Sequence, residues 1–144
     1  RGEDLEAREG EDRACDVKKD EAEARRWLRR ASSLGAAEGM NMLGCILYRG
    51  TERDRAEAPQ WFRRAAAAGL AKGISNTALC LRFGRGVEKD VGEALRLFRE
   101  AAAGGYADSY IHLGVMTRDG VGVEKDAAES VRLFRMGAER GSLL

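Results

Sequence analysis

Apolar and small residues recur with the spacing of one helix face at four places along the chain. In each segment they stand at positions i, i+3, i+4 and i+7, and the middle two are bulky. This period puts the four side chains on one side of an α-helix, here called helix A. The segments are residues 24–31, 58–65, 94–101 and 130–137. They lie 34, 36 and 36 residues apart, which indicates an internal repeat.

A second helix and two glycine-containing connections complete the predicted unit. A glycine four residues after each helix A suits a left-handed C-terminal cap: Gly35, Gly69, Gly105 and Gly141. Next comes helix B, where a small residue at positions 44, 78 and 114 permits close packing. Gly-x-Gly-Val then reverses the chain at residues 84–87 and 120–123. Asp20, Asp54, Asp90 and Asp126 are the predicted N-caps of helix A.

One such hairpin cannot bury its own apolar stripes, whereas stacked hairpins can. The pattern therefore predicts an all-α fold, an α/α solenoid of stacked helix-turn-helix repeats. We expect Trp27, Trp61, Leu97 and Leu133 to lie between the layers. Residues 17–144 form the solenoid, with three repeats and a fourth helix A. Residues 1–16 carry three arginines against seven acids and read as an acidic arm or as the end of a degenerate repeat.

These repeated blocks resemble the Sel1-like repeat family, relatives of the tetratricopeptide repeat. The family's helix B tyrosine is replaced by Leu47, Leu81 and Thr117, and the first loop at residues 49–54 is two residues short. Pro59 lies too deep for a helix that begins at Asp54, so we expect the second helix A to start near residues 56–58. The resemblance implies a protein-protein interaction scaffold or adaptor. The alternative is a permanent subunit of a large, perhaps organellar, complex.

Composition excludes several other classes of protein. The net charge of +1 provides no general field for nucleic acid or anionic lipid, and no apolar stretch is long enough to cross a membrane. We therefore expect neither as a partner. The first residues contain no hydrophobic block of the kind found in a signal peptide. Three cysteines without CxxC spacing favour a reducing compartment, the cytoplasm or an organelle matrix.

Arginines occupy equivalent outward positions on successive copies of helix A. One row stands just before the Trp position and contains Arg26, Gln60, Arg96 and Arg132; the other stands two residues after it and contains Arg29, Arg63, Arg99 and Arg135. We expect both rows on or beside the concave surface, where they form a candidate docking strip for an acidic segment of a protein partner. The alternative is a solvated face whose arginines pair with nearby glutamates.

The C-terminal end is a second candidate contact. Val131, Leu133 and Phe134 lie on a helix A whose helix B is missing from the sequence, with Leu143 and Leu144 just beyond them. Terminal repeats generally need a polar cap. We expect another subunit to cover this edge, unless the chain is a fragment of a longer protein.

The residues needed for catalysis are sparse. His112 is the single histidine, which excludes a two-histidine metal site within the chain. Cys15, Cys45 and Cys80 lie on predicted B helices, where a free cysteine is usually a small core residue. Gly84-x-Gly86 and Gly120-x-Gly122 lack the lysine and the strand of a phosphate loop. We expect no enzyme activity, cofactor or metal. A repeat-based hydrolase is the less favoured alternative, because the cysteine-rich family members linked to hydrolase activity carry regular cysteine pairs within each repeat and this chain does not.

Overall fold

The computed structural model describes residues 20–141, and this part of the chain contains helices and no strand. The helices are α1 (residues 20–33), α2 (Ala37–Tyr48), α3 (Glu52–Ala67), α4 (Ala71–Phe83), α5 (Val91–Ala103), α6 (Asp108–Asp119) and α7 (Ala127–Glu139). From α2 onward each helix packs on the next one along the chain. The odd-numbered helices are copies of helix A and the even-numbered ones copies of helix B, which confirms the all-α solenoid.

The turns between helix A and helix B are built as the glycine spacing predicts. Gly69 and Gly105 follow α3 and α5 with φ of 91° and 95°, a left-handed conformation that a side chain disfavours. Asp90 and Asp126 cap α5 and α7, since each side chain accepts a hydrogen bond from the backbone N–H three residues on. These local signals therefore set most of the helix ends correctly.

In the two middle copies of helix A, the second residue of the bulky pair fills the core. Phe62 and Phe98 are completely or almost completely buried. Each belongs to one of two clusters of buried side chains, and Val87 from the loop between α4 and α5 packs against both. The two clusters are thus continuous through a loop residue.

The first residue of each pair is buried less evenly than expected. Leu133 is buried and Trp61 and Leu97 are half-buried against the core clusters, but Trp27 is 58% exposed, so the prediction was wrong for Trp27. Trp61 and Leu133 are covered by the helix B that precedes them in the chain. The residues before α1 lie outside the described range, and within it Trp27 has no such cover.

Close packing of helix A on helix B depends on the small residues of helix B. The Phe62 ring lies over Gly44, where an added Cβ would be 2.6 Å from the ring. Two repeats later, the Phe134 ring lies over Gly114, where an added Cβ would also be 2.6 Å from the ring. This confirms that positions 44 and 114 are small because an aromatic ring occupies the space.

The start of α3 differs from the sequence-based expectation. The helix begins at Glu52, and Thr51 caps it in a capping box with Asp54, so Asp54 is the third helical residue rather than the cap. Pro59 lies inside the helix and leaves the Arg55 carbonyl without its usual N–H donor. Gly86 of the following loop packs here, since a Cβ on it would lie 2.2 Å from that carbonyl oxygen. The tertiary contact accommodates the proline.

Candidate interaction grooves

Two grooves open between successive copies of helix A, and helix B forms the floor of each. The α3–α5 groove has a volume of about 640 Å³ and is floored by α4, while the α5–α7 groove has about 450 Å³ and is floored by α6. Both volumes fall within the range of roughly 300–1,000 Å³ that is typical of ligand clefts. We call the surface that carries both of them the groove face.

The grooves are two copies of one structure. The α3–α5 groove is lined by eleven residues, and for ten of them the position 36 residues later lines the α5–α7 groove. Seven of these pairs of equivalent positions are Arg63 and Arg99, Ile74 and Tyr110, Ala67 and Ala103, Asp90 and Asp126, Glu93 and Glu129, Arg96 and Arg132, and Leu97 and Leu133. Repetition of the sequence thus produces repetition of a concave surface.

Each groove brings together one arginine from each predicted row. In the α5–α7 groove, Arg132 is held by Glu129 one turn away on α7, with Nη2–Oε1 and Nε–Oε2 distances of 2.6 and 2.8 Å. This hydrogen bonding lowers the pKa of Glu129. Arg99 faces the same groove and is exposed, and no carboxylate of the described residues lies within ion-pairing distance of it. The α3–α5 groove repeats this arrangement with Arg96 bound and Arg63 unpaired.

The first repeat pairs its charges differently. Arg29 on α1 reaches across to Glu57 on α3 with an Nη1–Oε1 distance of 2.6 Å. The Trp61 indole N–H donates to the same carboxylate at 3.1 Å. These two hydrogen bonds, that of Arg29 first, lower the pKa of Glu57. Arg25 adds a second ion pair between the two helices, to Asp54 at 3.1 Å.

The remaining candidate residues lie away from the grooves. Arg26 lines a shallow hollow beside Trp27 and Arg30, and Arg135 is exposed and lines neither groove.

On α7, Val131 is 53% exposed, and Phe134 is half-buried with its ring over Gly114 of α6. Leu133 is buried in the core cluster that it shares with residues of α5 and α6, as expected for a residue between layers, so it does not belong to an exposed end contact. Leu143 and Leu144 lie outside the described residues, and whether another subunit contacts this edge stays a prediction.

The cysteine and histidine side chains of the described residues are buried or half-buried, while Cys15 lies outside the described range. Burial raises the pKa of the Cys80 thiol to about 12, which disfavours the nucleophilic thiolate. Cys45 is half-buried and its pKa is also raised by burial. The His112 ring stacks on Phe98 with 5.0 Å between centroids, and burial lowers its pKa. Residues 20–141 contain no group of three or more His, Cys, Asp or Glu side chains placed to hold a metal. Nor does any helix in that range have the length and hydropathy to span a membrane.

The two arginine rows do not by themselves reveal the glutamates with which some of the arginines pair. Glu57, Glu93 and Glu129 stand three residues before Gln60, Arg96 and Arg132, a spacing that brings two side chains together on a helix. The repeat register applied to acidic residues would have found them. The helix B residues that floor the grooves could have been found in the same way.

A solenoid of helical hairpins with a repeated groove defines the class of helical-repeat proteins. The family model for the Sel1 repeat matches residues 9–35, 37–70, 71–106 and 107–142. The chain therefore belongs to the Sel1 repeat family, whose members are generally protein-interaction scaffolds with a typically non-catalytic fold. The first match begins within the segment interpreted above as an arm or as a degenerate repeat end.

Solved structures of other Sel1-like proteins share the fold. A Sel1 repeat protein from Oxalobacter formigenes is 32% identical, with a TM-score of 0.68 over 76% of this chain and 46% of its own length. The protective antigen c5321 of uropathogenic Escherichia coli is 30% identical, with a TM-score of 0.67 over 82% of this chain and 26% of its own. This chain thus spans less than half the length of either relative.

A third structure, the cysteine-rich protein B of Helicobacter pylori, shows likeness of fold alone. It is 22% identical, with a TM-score of 0.62 over 88% of this chain and 92% of its own. A search of the curated proteins found no match.

Proposed function

We propose that this chain is a non-catalytic scaffold that binds a protein partner along the groove face. The observation that supports the proposal is the pair of equivalent grooves, each of which combines apolar side chains from helix B with an arginine that has no carboxylate partner among the described residues. Repeat proteins commonly present extended binding surfaces of this kind, because each unit contributes the same local shape. A segment in extended conformation can contact both grooves in succession.

The arginines of the two predicted rows contribute unequally to this surface. Arg63 and Arg99 are available to a partner, whereas Arg96 and Arg132 are engaged by Glu93 and Glu129. Arg29 is engaged by Glu57. The proposed interface therefore centres on Arg63, Arg99 and the floor residues between them rather than on a continuous arginine strip.

Selection from a displayed library of random peptides tests this function. We expect binders whose addition shifts the backbone NMR resonances of α3 to α7, at groove residues such as Ile74 and Tyr110. Tryptophan at both Ala67 and Ala103, which are exposed and line the two grooves, should abolish binding by filling them. Ala68→Trp is the matched control, since Ala68 is equally exposed but lines neither groove. Binders that map to the outer sides of α2, α4 and α6, or no binders at all, would contradict the proposal.

A further inference from the structure

The bonding partner of the equivalent glutamate differs among the copies of helix A, and so does the residue three positions after it. On α5 and α7 this position holds Arg96 and Arg132, and each arginine takes the glutamate one turn before it on its own helix. On α3 the equivalent residue is Gln60, which carries no charge. Glu57 bonds across the joint instead, to Arg29 of the preceding helix A.

The consequence falls on the arginines at the groove edges. Arg63 and Arg99 are the repeat equivalents of Arg29, and Glu93 and Glu129 are the equivalents of Glu57. Because Arg96 and Arg132 already occupy those glutamates, Arg63 and Arg99 have no carboxylate partner among the described residues. Where an arginine stands at the Gln60 position, the arginine three residues further on is thus unpaired; where glutamine stands there, the equivalent Arg29 of the preceding helix A is paired with Glu57.

We propose that Gln60 limits the groove face to two carboxylate sites, at Arg63 and Arg99, which together bind an extended peptide segment of a partner protein carrying two spaced acidic residues. Gln60 is a positioning residue in this scheme, since it acts through Glu57 and Arg29. The inference rests on the proposed function, because it requires a peptide on the groove face. It adds which residues recognise the peptide and how many acidic side chains are read.

The charges within the grooves favour isolated carboxylates over a polyanion. Each groove is lined by two arginines and three carboxylates, so neither carries a net positive charge. Asp90 and Asp126 accept hydrogen bonds at helix N-termini, where their charge is compensated. A phosphodiester chain would meet these carboxylates along its whole length. A single carboxylate per groove can instead bind at Arg63 or Arg99, the arginine that no carboxylate of the described residues occupies, and a guanidinium can hold it in a bidentate pair.

The apolar floors define the rest of the peptide. Ile74, Leu81 and Leu97 line one groove, and Tyr110, Leu113 and Leu133 line the other. Burial of apolar surface there supplies affinity that an exposed ion pair does not. The expected segment places an apolar side chain beside each of its two acidic residues.

Synthetic peptides test the inference. The probes are capped twelve-residue peptides in which two Leu-Glu pairs are separated by two to six Ser or Ala residues, with Leu-Gln analogues, measured by fluorescence polarisation at low salt. We expect one spacing to bind best and to lose about three- to fivefold in affinity when either Glu becomes Gln, as for the loss of an ion pair with an exposed arginine. Arg63→Gln and Arg99→Gln should cause similar losses. Arg53→Gln, at an exposed arginine outside both grooves, should leave the affinity within about twofold.

Two reciprocal variants test whether the residue at the Gln60 position controls which arginine pairs with the neighbouring glutamate. Arg96→Gln should let Glu93 capture Arg63 and weaken the two-acid peptide several-fold, although Arg96 needs no contact with the peptide. Gln60→Arg should capture Glu57 and release Arg29, so that a peptide with a third Leu-Glu pair gains affinity while the two-acid peptide does not. The side-chain Nε–H resonances of Arg29 and Arg63 should report each exchange directly.

Other results would overturn carboxylate recognition, the role of Gln60 or the proposed function, and they can be told apart. Equal binding of the Glu and Gln peptides would overturn carboxylate recognition while leaving the scaffold function intact. Unchanged affinities and Nε–H resonances in both reciprocal variants would overturn the role of Gln60. Displacement of the peptide by oligouridylate at equal charge concentration would show a nucleic-acid surface instead. If neither these probes nor the peptide library binds, the inference and the proposed function fail together.

Discussion

At the scale of single residues, the packing of helix A against helix B depends on whether a Cβ is present at one position. Gly44 and Gly114 leave room for the edges of the Phe62 and Phe134 rings. Position 78 of the intervening repeat holds alanine, which is buried in the cluster that contains Phe98. A small residue therefore stands at this position in each repeat, and it is glycine where the rings of Phe62 and Phe134 lie over it.

Gly44→Ala is expected to destabilise the protein. The new Cβ would lie 2.6 Å from the buried Phe62 ring, which must move. Overpacking of this kind costs about 1–3 kcal/mol, and the better helix propensity of alanine returns up to about 1 kcal/mol. Urea unfolding should therefore show a net loss of up to about 2 kcal/mol.

Gly92→Ala is the matched control, since Gly92 lies in α5 with only the Asp90 side chain within 4 Å of an added Cβ. This variant should be neutral or more stable by up to about 1 kcal/mol. Equal effects of the two substitutions would show that propensity, and not the contact with Phe62, governs position 44.

At the scale of elements, α3 shows how a helix start can be misplaced from sequence. Pro59 argues locally for a late start, because a proline inside a helix removes a hydrogen bond and crowds the preceding turn. The helix nevertheless begins at Glu52, where the Thr51 capping box satisfies its first N–H groups. Gly86, in the loop between α4 and α5, packs at the proline. The helix start is thus set by the Thr51 cap, and the absence of a Cβ at Gly86 allows the loop to approach the turn that contains Pro59.

Thr51→Ala should lower the free energy of unfolding by about 1 kcal/mol, because it removes the side chain that accepts the Asp54 N–H. Thr51→Ser keeps a hydroxyl and should retain most of the stability. In the unmodified protein, hydrogen exchange should show protected amides from Arg55 onward, since its N–H bonds to the Thr51 carbonyl. Protection that starts only after residue 58 would favour the later helix start.

At the scale of the whole molecule, the joints between repeats are held by different forces. Val87 and Val123 from the glycine loops pack into the core at the later joints. The first loop is shorter and lacks the corresponding Gly-Val step. Two ion pairs, Arg25 with Asp54 and Arg29 with Glu57, link α1 to α3 there. Because a solenoid is stabilised joint by joint, its ends need not respond alike to solvent conditions.

Raising the salt concentration should weaken the first joint selectively. Screening lengths fall from about 10 Å at 0.1 M to about 3 Å at 1 M salt, and partly exposed ion pairs contribute up to about 1 kcal/mol each. Hydrogen exchange of α1 amides should accelerate between 0.05 and 1 M sodium chloride, while that of α5 and α6 changes little. The control is the double variant Arg25→Gln, Arg29→Gln, in which α1 should exchange faster at low salt and lose its salt dependence. Uniform acceleration in all helices would exclude an ionic joint.

The sequence by itself determined the repeat, the order of helices and the glycine turns. These features depend on spacing within a dozen residues, where the helix period and the backbone freedom of glycine act locally. It also determined that arginines recur on helix A. The tertiary structure alone decided that Arg29 pairs with Glu57 across the joint between α1 and α3, and that Pro59 lies within α3 beside Gly86. Each of these outcomes depends on which side chain or loop of a neighbouring repeat lies opposite, and spacing along one helix does not contain that information.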